Sequence, residues 1–239
     1  LCKNNATVLQ WADSFATWKK RRGYEVVIDA RSSWSASSMR TAIRTAYQTW
    51  DPPLEFACII GDARNGSFSL PTDGAAFDHY FALMTDEDDL EDIGVGRLSA
   101  QNETHLMTIN AKIMGYERNP YLTDPGWFHR AFLYAGTNYG CASNPLVMRW
   151  ARRQFQRFTG VDTINVDTHG NNVNPALINQ RFNEGISFFL WRGSVVGEMT
   201  TAHASGMNPS FRLPVVLTIT CGTGWINQPE QQITEAWLQ

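Results

Sequence analysis

The stretch from Gly185 to Gly224 constrains the chain most. It holds two apolar runs, Ile186–Trp191 and Leu213–Thr220. Each ends in a small, glycine-bearing turn: Arg192-Gly193-Ser194 after the first, Cys221-Gly222-Thr223-Gly224 after the second. Short runs rich in Val, Ile, Leu, Phe and Trp, bounded by turn residues, read as buried strands. As parallel neighbours in an α/β sheet, they place both turns at the carboxyl edge of that sheet, where such folds keep their sites. The cysteine at 221 then faces a turn that is the natural place for its partner.

The rest of the chain supplies the crossovers such a sheet needs. Thr7–Arg22 carries Leu9, Ala12, Phe15, Ala16 and Trp18 with basic residues at its end, the pattern of an amphipathic helix, and Gly23 stops it. Tyr24–Ile28 reads as a strand. Ser35 or Ser37 caps a second helix, ended by Asp51-Pro52-Pro53, and Phe56–Ile60 is a fully apolar strand. Tyr80–Met84 and Ile93–Arg97 read as a hairpin across the acidic turn Thr85–Asp89, and a helix is expected from Ser99. Asn119-Pro120 to Pro125-Gly126 reads as a boundary. Beyond it come a strand at Ala131–Ala135, a helix opened by Pro145, a strand at Val161–Val166 and a helix opened by Pro175. Repeated strand–helix units predict an α/β fold of parallel sheets with right-handed crossovers. The expected domains are residues 1–122 and 127–239. The helix begun at Ile233 is not finished by Gln239, so the second domain is expected to be incomplete at its C-terminus.

Composition excludes some partners. The net charge is −3, which creates no field to draw nucleic acid. No run of 18 or more apolar residues is present, so no membrane-spanning segment is expected. The four cysteines, Cys2, Cys58, Cys141 and Cys221, have no CxxC spacing, and no cofactor is required.

Cys221 is the main candidate for chemistry. A thiol at a strand end, followed by Gly222, can act as a nucleophile with backbone amides, that of Gly222 among them, facing a developing oxyanion. A buried or disulfide-bonded cysteine is the competing reading, with Cys141 the bonding partner at the same edge. Arg192 can hold a carboxylate, pair with Glu198, or cap a sheet edge. The acidic run offers Asp86, Asp88, Asp89 and Asp92 as oxygen ligands for calcium, or forms a solvated turn.

Several stretches together resemble the gingipain family of cysteine peptidases, within the wider caspase-like clan. They are Trp11-Ala-Asp with Lys20–Tyr24, Ile59-Ile60-Gly61-Asp62, Asp78-His79-Tyr80, Asp92–Ser99, Tyr116–Pro120, Gly185-Ile-Ser and Thr220–Gly224. The resemblance implies two consecutive α/β subdomains with mainly parallel sheets and flanking helices, stabilised by calcium and secreted or surface-attached. It implies a cysteine endopeptidase acting on a polypeptide, with Cys221 as nucleophile and the remainder of the domain beyond Gln239 as a partner. In the family, the strand before the cysteine strand ends in a His-Gly turn. Matching Gly193 to the glycine ahead of that histidine puts Ser194 at its position. The family's acidic residue after the first strand of the second subdomain is also missing from Thr137–Asn144. His203, in the loop after the turn, is the candidate substitute base. His169-Gly170 copies the dipeptide one strand–helix unit too early and is set aside. The alternative function is a catalytically dead pseudopeptidase, a binding or structural module of a surface assembly.

Overall fold

The computed structural model describes residues 1–64, 66–73, 77–85, 87–137, 141–193 and 199–239. In chain order its elements are β1 (Cys2–Lys3), α1 (Ala6–Arg21), β2 (Ala30–Arg31), α2 (Ala36–Thr49), β3 (Phe56–Ile60), β4 (Gly94–Leu98), α3 (Glu103–Arg118), β5 (Arg130–Gly136), α4 (Ser143–Phe158), β6 (Thr163–His169), α5 (Pro175–Asn183), β7 (Phe188–Arg192), α6 (Thr201–Ala204), β8 (Val215–Thr218) and α7 (Ile233–Leu238). The chain divides into two compact units: Leu1–Met114 with Gly224–Gln239, and Gly115–Thr223. The segment from Gly224 onward therefore groups with the first unit, where the sequence places it in the second.

The first unit is built on a parallel sheet in the order β2-β1-β3-β4. Its helices start where local chemistry dictates. Asn5 Oδ1 accepts from Thr7 N and Val8 N to open α1, and Ser35 and Ser38 form a reciprocal capping box for α2. Trp34, Met39, Ile43, Ile59 and Phe81 fill one core, and Cys2, Val8, Ile60, Leu106 and Ile109 fill another.

Three local expectations differ here. Tyr24–Ile28 forms no strand; of this stretch only the later Ala30–Arg31 is a strand, pairing with β1, itself two residues long with few backbone groups to offer. The hairpin is absent: His79–Phe81 is a 3₁₀ turn, and β4 runs parallel to β3 with Phe56 opposite Gly94. Asp92 explains this, because its Oδ2 takes Met84 N at 2.7 Å and Thr85 N at 2.9 Å, amides a hairpin ladder would need. The third helix starts at Glu103, with Asn102 Oδ1 accepting from His105 N; Ser99 instead donates to Glu235 Oε1 at 2.6 Å.

The second unit carries a parallel sheet in the order β6-β5-β7-β8. The two apolar runs of the sequence are thus adjacent parallel strands, in the register Leu190 to Leu217 and Trp191 to Thr218. Strand alternation divides the core. Ala131, Leu133, Ala135 and Leu190 pack against Met148 and Ala151 of α4. On the other face Phe132 stacks on Phe189, with ring centroids 5.4 Å apart, and Phe182 meets Phe189 edge-on. Among the described residues no helix is long and apolar enough to cross a membrane.

Candidate active site

Parallel pairing brings the ends of β7 and β8 together, and hydrogen bonds continue beyond the strands. Ile219 N donates to Trp191 O at 2.8 Å, and Gly193 N donates to Thr220 Oγ1 at 2.7 Å. Thr223, buried under the turn, returns its hydroxyl to Thr220 O at 3.0 Å. Gly222 lies at φ +80°, a conformation that favours glycine and sharpens the turn. Cys221 stands at this turn as a free, exposed thiol. Cys141 is also free, so the disulfide of the competing reading is not formed. Cys141 is instead tied to the start of α4, its carbonyl accepting from Asn144 N at 3.1 Å.

The turn after β7 is equally fixed. Arg192 Nε donates to Asn144 Oδ1 at 2.7 Å, and Asn144 Nδ2 donates to Gly136 O at 2.9 Å. Asn144 is 4% exposed, so this relay is sheltered from water. Gly136 allows the close approach: a Cβ there would lie 3.1 Å from Gly193 Cα and from His169 Cε1. Ser194 and Glu198 lie outside the described residues, and with them the expected Arg192–Glu198 pair.

The two histidines of this unit with candidate roles have defined ring partners. His169, 5% exposed at the end of β6, lies 3.0 Å by Nδ1 from Gly170 O and takes Trp191 Nε1 on Nε2 at 3.3 Å. Donation to a carbonyl from Nδ1 and acceptance from an indole at Nε2 require the neutral ring. Burial accordingly pushes its pKa down, only partly opposed by the Gly170 bond. His203 caps its own short helix: Nδ1 accepts from Thr200 N at 2.7 Å. Its neutral ring therefore carries the proton on Nε2.

Of the acidic run, Asp88, Asp89 and Asp92 are among the described residues. Asp92 Oδ2 is engaged by the Met84 and Thr85 amides and the Thr85 hydroxyl, and Asp88 Oδ1 accepts from Leu90 N. These bonds hold the Asp92 carboxylate below its ordinary pKa, the Thr85 amide most of all. Asp89 is exposed and Asp86 lies outside the described residues. Among the described residues no three His, Cys, Asp or Glu side chains come together to hold a metal.

Sequence reasoning misses Thr220 and Asn144, which join the two turns and orient Arg192. Their only sequence signals are position: Thr220 directly precedes the cysteine, and Asn144 directly precedes the helix-opening Pro145.

A family model described as peptidase family C25 matches residues 4–239. Gingipain R2 of Porphyromonas gingivalis is 23% identical over 230 residues, covering 89% of this chain and 30% of the relative. Gingipain R1 of the same organism is 22% identical over 228 residues, covering 88% and 22%. The chain thus spans less than a third of either relative. Among solved structures, the crystal structure of the Arg-specific cysteine proteinase gingipain R superposes with a TM-score of 0.80 at 20% identity, covering 94% of this chain and 55% of that one. A complex of the pro- and mature domains of RgpB from Porphyromonas gingivalis gives 0.86 at 20% identity, covering 99% and 58%. The fold is shared with these proteins, the family model extends over nearly the whole sequence, and the chain belongs to peptidase family C25, the gingipain-like cysteine peptidases.

Proposed function

We propose that this chain carries the nucleophile of a gingipain-type cysteine endopeptidase, with Cys221 attacking the scissile carbonyl of a polypeptide substrate. The observation that carries the reading is the free, exposed thiol in the turn after β8, clamped to the neighbouring turn by the Gly193–Thr220 bond. Gly222 offers a backbone amide to the tetrahedral oxyanion. Proton transfer falls to His203, whose unprotonated nitrogen is held by Thr200. The ring has to leave that cap, or exchange tautomers, to accept the thiol proton and pass it to the leaving amine. An extracellular or cell-surface location belongs to the same proposal.

A second reading is a domain that binds a protein without cleaving it. The engaged rings of His169 and His203 favour it, as does the serine at position 194, matched to the family's histidine. Turnover separates the two. The full-length protein is incubated with an unfolded polypeptide, and new amino termini are counted for wild type, Cys221→Ala and His203→Ala. The peptidase reading expects cleavage that vanishes in Cys221→Ala and falls by about 10²-fold or more in His203→Ala. Wild-type cleavage no greater than that of Cys221→Ala selects the binding domain.

A further inference from the structure

We propose that Arg192 is a carboxylate-recognition residue beside the Cys221 thiol, selecting an acidic group on the bound polypeptide. This builds on the reading of Cys221 as the reacting thiol and names a substrate class for it.

The placement follows from register. Phe188 and Leu190 pack on the α4 side of the sheet, so alternation along β7 puts Arg192 on that side too. Leu190 pairs with Leu217, which places Leu217 and then Ile219 on the same face; Cys221 is two residues beyond. The bond from Gly193 to Thr220 joins the residue after Arg192 to the residue before Cys221. Guanidinium and thiol therefore stand on neighbouring strand ends at one edge.

The guanidinium is held, and among the described residues no carboxylate pairs with it. Asn144, itself buried and locked on Gly136 O, fixes Nε, and among the described residues the terminal nitrogens Nη1 and Nη2 keep their donors. Among the described residues Arg192 has no ion pair, whereas Arg130 and Arg181 of the same unit have theirs. Neither α4 nor the sequence from Thr137 to Asn144 contains an acidic residue. A half-buried arginine held by one nitrogen presents the others as a planar fork, the geometry that matches a carboxylate. Partial burial strengthens that attraction over its value in open water.

The test compares alkylation of Cys221 by iodoacetate and by iodoacetamide, which differ in a carboxylate, with each adduct mapped by mass spectrometry. The expected result is a rate ratio that drops by about tenfold in Arg192→Gln, the iodoacetamide rate correcting for any change in the thiolate itself, with part of the ratio restored by Arg192→Lys. In wild type the ratio should also fall as salt rises, a readout that needs no variant. Two peptides then locate the carboxylate by protecting Cys221 from iodoacetamide: one with an internal aspartate and amidated end, one with a free C-terminus and no acidic side chain. Protection by either, lost in Arg192→Gln, supports the proposal and names the source. A ratio that is the same in wild type and Arg192→Gln and insensitive to salt overturns it, whatever the turnover assay gives. A ratio dependent on Arg192 in a protein that cleaves nothing leaves this recognition standing and removes only the peptidase reading.

Discussion

Replacing Thr220 by valine keeps the shape of the β8 terminus and removes one acceptor, the hydroxyl that takes Gly193 N at 2.7 Å. The orphaned amide is partly sheltered, so the variant should lose about 1–2 kcal/mol in denaturant unfolding, and the alkylation rate of Cys221 should change with it. Unchanged stability and rate would mean that the bond does not hold the turns. His169 gives a prediction in pH. Its folded pKa lies below the ordinary value near 6.5 because burial disfavours the charged ring. The unfolded chain then binds more protons, so stability is full above pH ~6.5 and is lost as pH falls through the depressed folded pKa. His169→Gln should flatten that slope below pH ~6.5, measured as the shift of the urea midpoint. At this scale the turn holding Cys221 and Gly222 is legible in the sequence, because a glycine directly after an apolar run marks a turn, and Gly222 lies at φ +80°. Thr220 and Asn144 are not, because their bonds exist only once β7 and β8 are in register.

Elements were legible in proportion to how much of their stabilisation is local. The helices from Ala6, Ala36 and Pro175 start at side-chain caps readable from single residues. Strands β5, β7 and β8 follow from apolar runs. Tyr24–Ile28 reads as a strand too, yet Tyr24 and Val27 remain exposed, and propensity without a pairing partner forms no ladder. The final helix, α7, is fastened by contacts that no local pattern announces. Glu235, 1% exposed, accepts from Ser99 Oγ at 2.6 Å and from Arg64 Nη2 at 3.2 Å, and Arg64 is shared with buried Asp62. Lys112 Nζ donates to the carbonyls of Trp237 and Leu238 at the helix end. Burial pushes the Glu235 pKa up, and the Gln232, Ser99 and Arg64 contacts only partly offset it. Glu235→Ala leaves a buried arginine short of one partner, so the first unit should lose about 3 kcal/mol of unfolding free energy. A loss below about 1 kcal/mol would show that the network is not what fastens α7.

For the whole molecule, the parallel pairing of β5 to β8 was readable because parallel pairing requires a crossover, and the alternation of apolar runs with helices supplies one, whereas β4 reads as half of a hairpin and pairs parallel with β3 instead. The placement of Gly224–Gln239 with the first unit was not, since it depends on the buried Glu235 network joining residues far apart in sequence. The fold shared with gingipain R shows the architecture alone and leaves the chemistry of Cys221 to direct test. That chemistry is tested most directly by treating the full-length protein with a thiol-reactive peptide ketone and mapping the adduct by mass spectrometry. The account predicts a single adduct on Cys221, formed faster than with a ketone lacking the peptide and absent from Cys221→Ala. Equal labelling of Cys221 and Cys141, or a Cys221 rate no greater with the peptide than without it, would contradict it.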